Sequence, residues 1–168
     1  AKRGIQELNY DAMKEIKISL NMIDKARSKA QEMGKLQNSI LKGKGNIAGF
    51  IGEQLALECL GGTWDNTYSH DIVLPNGKKV DVKTKQTSVA PLPDYDCSVA
   101  NFNTKQACDT YAFVRVKNDF TVGWYLGCMD KKEYFEKAIF MKKGTVDPSN
   151  NYTVRADCYN LKIKQLHV

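Results

Sequence analysis

The chain has 168 residues, of which 42% are hydrophobic and 26% are charged, with 12 glycines and 4 prolines. This length suits one compact domain. The ordinary composition excludes a collagen-like, mucin-like or wholly disordered protein. The sequence contains no apolar run of about 18 residues that would span a membrane, and it has no signal-peptide pattern. We therefore expect a soluble cytoplasmic protein without a membrane partner.

Basic residues are concentrated near the start of the chain. The sequence carries 25 Lys and Arg against 19 Asp and Glu, a net charge of +6, and +5 of this charge lies before residue 46. A basic segment predicts a polyanionic partner, most simply nucleic acid, and a solvent-exposed helix face explains the charge equally well. The 5 cysteines are odd in number and include no C-x-x-C pair, which favours reduced thiols over a disulfide framework or a zinc site.

The basic segment itself predicts a helical arm. Apolar residues in 5–33 recur mostly at intervals of three, four or seven, which predicts one long amphipathic helix that ends near Gly34. The Gly- and Lys-rich stretch 42–45 predicts a linker, so we divide the chain into an arm at 1–45 and a core domain at 46–168. The helix would pack on the core, pair in a homodimer or lie along DNA, and we favour docking or pairing. In the DNA-bound case the residues near phosphates would be Lys14, Lys17, Lys25, Arg27 and Lys29.

The core domain is predicted to combine helices and strands. The helices are expected from Asn46 to Leu60 and from Asp130 to about Met141, and the strands at 69–74, 78–85, 111–117, 120–128 and 152–156. Segment 86–109 has two prolines and little periodicity, so we predict a loop that forms one wall of a substrate groove. This order of elements predicts an α/β sandwich.

The first two predicted strands form a hairpin that brings charged residues together. A three-residue Pro-Asn-Gly turn pairs Leu74 with Lys78. In that register Asp71 lies directly opposite Asp81, and Lys83 follows on the same face. Two facing carboxylates repel each other unless a cation lies between them. Mg²⁺ is commonly held by one or two carboxylates together with a substrate phosphate. The hairpin therefore predicts a magnesium site with an adjacent ammonium group.

A third acid comes from the helix that precedes the hairpin. Gly49 and Gly52 remove side chains from one face of this helix and would allow close backbone approach. Glu53 follows Gly52 and could direct its carboxylate toward the hairpin acids, whereas we expect Glu58 to be solvated. The apolar residues that would seat the helix on the sheet are Ala48, Ile51, Leu55 and Cys59.

These residues resemble the PD-(D/E)XK nuclease superfamily, whose fold is restriction-endonuclease-like. The resemblance covers about residues 46–128, and its diagnostic residues are Glu53, Asp71, Asp81, Val82 and Lys83. It implies a central mixed sheet flanked by helices, here preceded by the long N-terminal helix. Segment 96–99 and the aromatic strands after it also resemble small phage-encoded members, which implies a bacterial cytoplasm as the location. The sequence departs from the family pattern at His70, where proline is more frequent, and at Asp81, where glutamate is more frequent.

The resemblance also implies a role for each residue. Asp71 and Asp81 would be the principal metal ligands, with the Val82 carbonyl as a further ligand. Glu53 would be an outer ligand or a ligand of a second metal ion. Lys83 would orient the attacking water or stabilise negative charge on phosphorus.

The resulting hypothesis is a magnesium-dependent DNA endonuclease, with Mn²⁺ as a substitute ion, that is structure-selective or weakly sequence-specific. The alternative is a non-catalytic nucleic-acid-binding or assembly module on the same fold. Lys85 and Gln86 follow the motif and are further candidates for nucleic-acid contact, with a solvent-exposed position as the simpler interpretation. We expect a structural or solvent-exposed role for His70 rather than a ligand role, because it lies on the opposite side of the strand from Asp71, and a core position for Trp124.

Overall fold

A computed structural model describes residues 13–37, 47–65, 70–148 and 151–167. The helices are α1 at Leu20–Gln37, α2 at Ile47–Leu60 and α3 at Lys131–Lys137, with short 3₁₀ turns at Asn101–Asn103 and Ile163–Gln165. The strands are β1 at Lys14–Lys17, β2 at Thr63–Trp64, β3 at Ile72–Val73, β4 at Lys79–Thr87, β5 at Asp96–Ala100, β6 at Thr110–Lys117, β7 at Val122–Asp130, β8 at Ile139–Met141 and β9 at Cys158–Lys162. The chain is therefore mixed α/β.

The strands form two sheets. The central sheet has the order β1-β7-β6-β4-β3-β2, and β4 and β6 run parallel while the other neighbours are antiparallel. The second sheet has the order β5-β9-β8 and is antiparallel. Residues 88–109, which contain β5, connect the two parallel strands. This connection carries the chain from one sheet to the other and back.

Side-chain alternation along β4 and β6 separates two hydrophobic cores. One face of the central sheet packs against α1 and α2, with a core that includes Ala26, Ala30, Ile51, Leu55, Val80, Val82, Ala112, Val114 and Val116. The other face packs against the second sheet and α3, with a core that includes Val99, Tyr111, Phe113, Trp124, Leu126, Tyr134 and Leu161. Because side chains alternate along a strand, Asp81, Lys83 and Lys85 lie on this second face.

The predicted helix over residues 5–33 is confirmed from Leu20 onward and is wrong at Lys14–Lys17. Lys14–Lys17 is an extended strand, and Ile16 lies opposite Gly123 of β7. The helix α1 starts only at Leu20, where the Ser19 hydroxyl oxygen accepts a hydrogen bond from the Met22 N–H at 3.2 Å. It continues past Gly34 to Gln37. Residues 5–12 and the predicted linker at 42–45 lie outside the described residues.

The described part of the predicted arm packs against the core domain. The strand β1 belongs to the central sheet, and α1 contacts α2. The proposed boundary between residues 45 and 46 lies outside the described residues, so the division into two units stays a prediction. None of the three helices in the described ranges combines the length and the apolar composition needed to cross a bilayer.

Three further predictions are wrong. Segment 86–109 is not mainly a loop, because residues 96–100 form β5, which pairs with β9. The helix expected to reach Met141 ends at Lys137, and residues 139–141 form β8 on the edge of the second sheet. The last strand lies at 158–162 rather than at 152–156. Each of these strands finds its partner far away in the sequence, so local periodicity could not reveal it.

Candidate active site

The hairpin between β3 and β4 has the predicted register. The Leu74 N–H donates to the Lys78 carbonyl at 2.9 Å, and the Gly77 N–H donates to the Leu74 carbonyl at 2.8 Å. Gly77 has a φ of +89°, which glycine adopts without strain. Ile72 and Val73 pair with Val80 and Lys79, where the regular pairing ends, and the Asp71 N–H donates to the Val80 carbonyl at 2.8 Å. The Asp71 carboxyl nevertheless lies close enough to Asp81 for the two side chains to interact.

The two aspartates are buried. Asp71 is 9% exposed and Asp81 is 5% exposed. Asp71 Oδ2 accepts a hydrogen bond from the Val82 N–H at 2.8 Å. Burial, followed by the negative charges of Glu53 and Asp81, raises the pKa of Asp71 to about 8. The fold therefore concentrates negative charge here and holds a proton on Asp71 at neutral pH.

The third acid reaches this point because α2 packs closely on β4. A Cβ atom at Gly52 would lie 2.8 Å from Cγ2 and 2.9 Å from Cβ of Thr84, so only glycine fits there. The prediction for Gly49 is wrong, because a Cβ there would meet nothing within 4 Å. Glu53, next to Gly52, is 7% exposed. The close contact at Gly52 thus places Glu53 near Asp71. We call Glu53, Asp71 and Asp81 the acid cluster.

Trp64 holds the Glu53 carboxylate. Its indole N–H donates to Glu53 Oε1 at 2.9 Å. The ammonium of Lys29 lies 3.6 Å from the centroid of the Trp64 ring, which is within cation–π distance. Of the arm residues predicted to lie near phosphates, Lys29 is thus connected to the acid cluster through Trp64.

Lys83 completes the arrangement. Its Nζ lies 2.8 Å from Asp81 Oδ2 and donates a hydrogen bond to Gln106 Oε1 at 3.1 Å. The Lys83 side chain is only 18% exposed, so the ammonium is fixed between these two groups. Asp81 Oδ2 is buried against this ammonium, and the Asp81 carboxylate also interacts with the Asp71 carboxyl.

The acid cluster has the donor chemistry of a site for a hard divalent cation. Its carboxylate oxygens are the ligand type that Mg²⁺ and Mn²⁺ prefer, and a cation would relieve the repulsion that raises the pKa of Asp71. Within the described ranges, no three His, Cys, Asp or Glu side chains stand close enough to form a complete ligand set. The Val82 carbonyl stays a predicted ligand, and the Val82 N–H is used by Asp71.

Of the other predicted nucleic-acid contacts, Lys85 and Gln86 lie on β4, the strand that carries Asp81, and the rest lie on other elements. Lys14 and Lys17 lie on β1, and Lys25 and Arg27 lie on α1, where all four are exposed. Gln86 is exposed on β4, on the opposite side from Lys85. Lys85 itself lines a cleft next to Lys83.

Two predictions about neighbouring residues are confirmed. His70 is 7% exposed, and its Nε2 lies 2.9 Å from Asp65 Oδ2. This pair ties the entry of β3 to the end of β2, which is a structural role. Trp124 is 6% exposed and belongs to the core between the two sheets.

Sequence reasoning missed Gln106 and the role of Trp64. Gln106 lies in the segment predicted as a loop, and no sequence signal connects a single glutamine there with Lys83, 23 residues earlier. The indole N–H of Trp64 binds Glu53. Glu53 lies in the middle of α2 and Trp64 in the short strand β2, so no local pattern connects the two residues.

A scan against protein-family models finds no matching model, and a search of curated proteins finds no similar chain. The resemblance to the PD-(D/E)XK superfamily therefore rests on the residues and their arrangement.

Proposed function

We propose that this protein is a magnesium-dependent phosphodiesterase that cleaves DNA. One observation supports the proposal above all: Asp71 is buried beside the carboxylates of Glu53 and Asp81, and burial together with these two negative charges raises the pKa of Asp71 to about 8. Buried like charges are costly unless a cation or a chemical role compensates them. DNA fits the net charge of +6 and the basic segment before the core.

The residues of the site divide the work as follows. Asp71, Asp81 and Glu53 would hold the divalent ion, which when bound acts as a Lewis acid on a phosphodiester and lowers the pKa of water. The Lys83 ammonium, fixed by Asp81 and Gln106, stabilises negative charge that develops on the phosphoryl oxygens. Trp64 orients the carboxylate of Glu53.

Histidine chemistry has no support at this position. The chain has 2 histidines. His70 contacts Asp65, and His167 contacts Glu133 with its Nε2 2.8 Å from Oε1. Acid–base work near the acid cluster therefore falls to carboxylates, to Lys83 and to water.

A cleavage assay tests the proposal. Purified protein is incubated with linear, circular, single-stranded and four-way DNA, with Mg²⁺ and with EDTA. We expect cleavage with Mg²⁺ only. Lys83→Ala and Asp81→Asn should each reduce the rate by roughly a hundredfold or more, while circular dichroism and DNA affinity stay close to wild type. Glu58→Gln is the matched control, because Glu58 is an exposed carboxylate on the same helix as Glu53.

The alternative function predicts a different result in the same assay. A non-catalytic binding module would retain DNA in a gel-shift experiment and would cleave none of the four substrates at any Mg²⁺ or Mn²⁺ concentration. That result, or full turnover by Lys83→Ala, would reject the nuclease.

A further inference from the structure

A second charged site lies next to the acid cluster. A cleft of about 200 Å³ opens between β4, β6 and β5, and its lining includes Lys83, Lys85, Asp96, Phe113 and Arg115. We call it the basic cleft. Because Lys83 lines it and also contacts Asp81, the cleft begins where the acid cluster ends.

Two cations lie side by side in the basic cleft. Lys85 and Arg115 are direct partners in the register of β4 and β6. Desolvation lowers the pKa of Lys85, and the charge of Arg115 adds to the effect, while the negative charge of Asp96 opposes it. Burial likewise lowers the pKa of Arg115, which is only 5% exposed, whereas Lys85 is an exposed residue. The fold thus places a buried guanidinium next to an exposed ammonium, with one carboxylate, that of Asp96, nearby.

Neither cation is satisfied by its neighbours. Among the described residues, Arg115 makes one hydrogen bond, from Nη2 to the Asp96 carbonyl at 3.0 Å, and its guanidinium lies 5.1 Å from the centroid of the Tyr95 ring. Lys85 makes no hydrogen bond or ion pair with any residue in the described ranges. A guanidinium has five N–H donors, so most of those of Arg115 remain available in a nearly buried position.

The acid in the basic cleft is already neutralised. The carboxylate of Asp96 lies 2.9 Å from the Lys162 ammonium. Ser98 donates its hydroxyl hydrogen to Asn160. Burial raises the pKa of the Cys97 thiol to about 12, which keeps it uncharged at neutral pH. The surplus charge of the cleft is therefore positive and belongs to Lys85 and Arg115.

The spacing along β4 relates the two sites. Asp81, Lys83 and Lys85 are alternate residues on one face of the strand, so their Cα atoms follow one another at about 6.6 Å. This step is close to the distance between neighbouring phosphorus atoms along an extended nucleic-acid strand. A phosphate next to Lys83 would therefore place its neighbour next to Lys85.

We propose that Lys85 and Arg115 form an anion site that binds the phosphate adjacent to the one held at Asp81 and Lys83, so that the preferred substrate carries at least two consecutive phosphates. This inference rests on the proposed function for the identity of the reacting phosphate. The anion site itself rests on the cleft and its charges, and it can be tested without a divalent ion.

The first experiment measures anion binding in EDTA. Inorganic phosphate is titrated into the full-length protein and followed by two-dimensional NMR, and a labelled oligothymidylate of about 12 nucleotides is titrated by fluorescence anisotropy. We expect phosphate to shift the resonances of residues that line the basic cleft. Lys85→Gln should weaken the binding of both ligands by about tenfold. It should also reduce the slope of the oligonucleotide affinity against salt concentration, on logarithmic scales, by about one. Lys85→Arg should restore binding. Phosphate should also displace the oligonucleotide.

Lys79→Gln is the matched control. It removes the same charge from the same strand, but Lys79 is exposed and lies outside the basic cleft. We expect it to change binding less than twofold. Equal losses of binding affinity in Lys79→Gln and Lys85→Gln would show that binding depends only on the net charge of the protein, and this result would overturn the anion site. Phosphate binding that leaves the oligonucleotide in place would overturn the link to a polynucleotide substrate.

The second experiment separates this inference from the proposed function. With Mg²⁺, Lys85→Gln should raise KM for DNA about tenfold and leave the hydrolysis of bis(p-nitrophenyl) phosphate, which has one phosphate, within twofold of wild type. An unchanged KM for DNA would reject the anion site while the nuclease stands. Phosphate binding in the basic cleft by a wild-type protein that cleaves no DNA would reject the nuclease while the anion site stands.

Discussion

The acid cluster and the basic cleft lie along one strand, β4, but they are assembled differently. The acid cluster needs three elements, since Glu53 comes from α2, Asp71 from the entry of β3 and Asp81 from β4. The charges of the basic cleft follow from the register of two adjacent strands, which pairs Lys85 with Arg115. A change in helix packing should therefore disturb the acid cluster and leave the pairing of Lys85 with Arg115 intact.

The acid cluster and the basic cleft have opposite charges, so they would bind ions of opposite sign. Burial, together with the negative charges of Glu53 and Asp81, raises the pKa of Asp71, and burial, together with the charge of Arg115, lowers the pKa of Lys85. Lys83 lies between them and belongs to both, through its contact with Asp81 and its place in the cleft wall. A cation and a phosphate bound side by side would relieve both kinds of repulsion at once.

The largest expected effect comes from separating α2 and β4. Gly52→Ala should lower the free energy of unfolding by about 2–3 kcal/mol, because the new methyl group overlaps Thr84, whose branched side chain has little freedom to move. DNA cleavage should fall with it, since Glu53 would be displaced. Urea denaturation and the cleavage assay measure the two effects.

Gly49→Ala is the control for the same helix. Nothing lies within 4 Å of the added Cβ, so we expect unchanged cleavage and a gain of about 0.5–1 kcal/mol from helix propensity. Phosphate binding in the basic cleft should be unaffected by Gly49→Ala, whereas Gly52→Ala displaces Thr84, which lines that cleft. If Gly52→Ala were as stable as Gly49→Ala, the close packing of α2 on β4 would be contradicted.

A smaller effect is expected on stability as a function of pH. The pKa of Asp71 is raised from 3.8 to about 8 in the folded protein, so the folded state binds a proton that the unfolded chain releases. The stabilisation this gives is complete below about pH 4 and is lost as the pH rises through 8. In EDTA, Asp71→Asn should match wild type near pH 4 and exceed its free energy of unfolding by about 1–3 kcal/mol above pH 8.

Divalent ions should reverse the difference in stability between wild type and Asp71→Asn. Mg²⁺ or Mn²⁺ stabilises whichever protein binds it, so wild type should gain thermal stability at pH 8 and Asp71→Asn should gain much less. Thermal denaturation at several pH values, with and without the ion, provides the measurement. A pH-independent difference between the two proteins in EDTA would show that Asp71 ionises normally.

The smallest effect should come from Gln106. Gln106→Met keeps the side-chain length but removes the oxygen that accepts the hydrogen bond from Lys83. We expect kcat to fall about tenfold, the cost of one hydrogen bond to a charged group, with KM and the melting temperature close to wild type. Gln106→Glu, which keeps an acceptor oxygen, should retain more of the kcat. A rise in KM instead would place Gln106 in substrate binding.

The sequence alone was sufficient for features that depend on neighbouring residues. The Pro-Asn-Gly turn determines the pairing of Leu74 with Lys78, and this register continues to Ile72 and Val80, next to which the interacting side chains of Asp71 and Asp81 lie. The helix α2 was predicted almost to the residue, because its end coincides with two glycines that both have positive φ. These are properties of short segments, and short segments are what periodicity and turn chemistry describe.

Features that depend on distant partners could not be predicted. Lys14–Lys17 is extended because it pairs with β7, more than 100 residues later, although its apolar residues also fit a helical pattern. The strand β5 was hidden for the same reason, since it pairs with β9. Arg115 became part of a site only when the parallel register placed it beside Lys85. Tertiary pairing thus decided both the wrong elements and the missed residues.

The strand β1 has a practical consequence for anyone who shortens this protein. Its ladder with β7 covers one margin of the central sheet, and Glu15 Oε1 accepts a hydrogen bond from the Trp124 indole N–H at 3.2 Å. Removing residues 1–42 would uncover the main-chain groups of β7 and invite self-association through them. Precipitation or larger oligomers of a truncated protein would indicate that β7 has become an exposed edge strand. A protein that starts before Lys14 would keep β1 and therefore keep that edge covered.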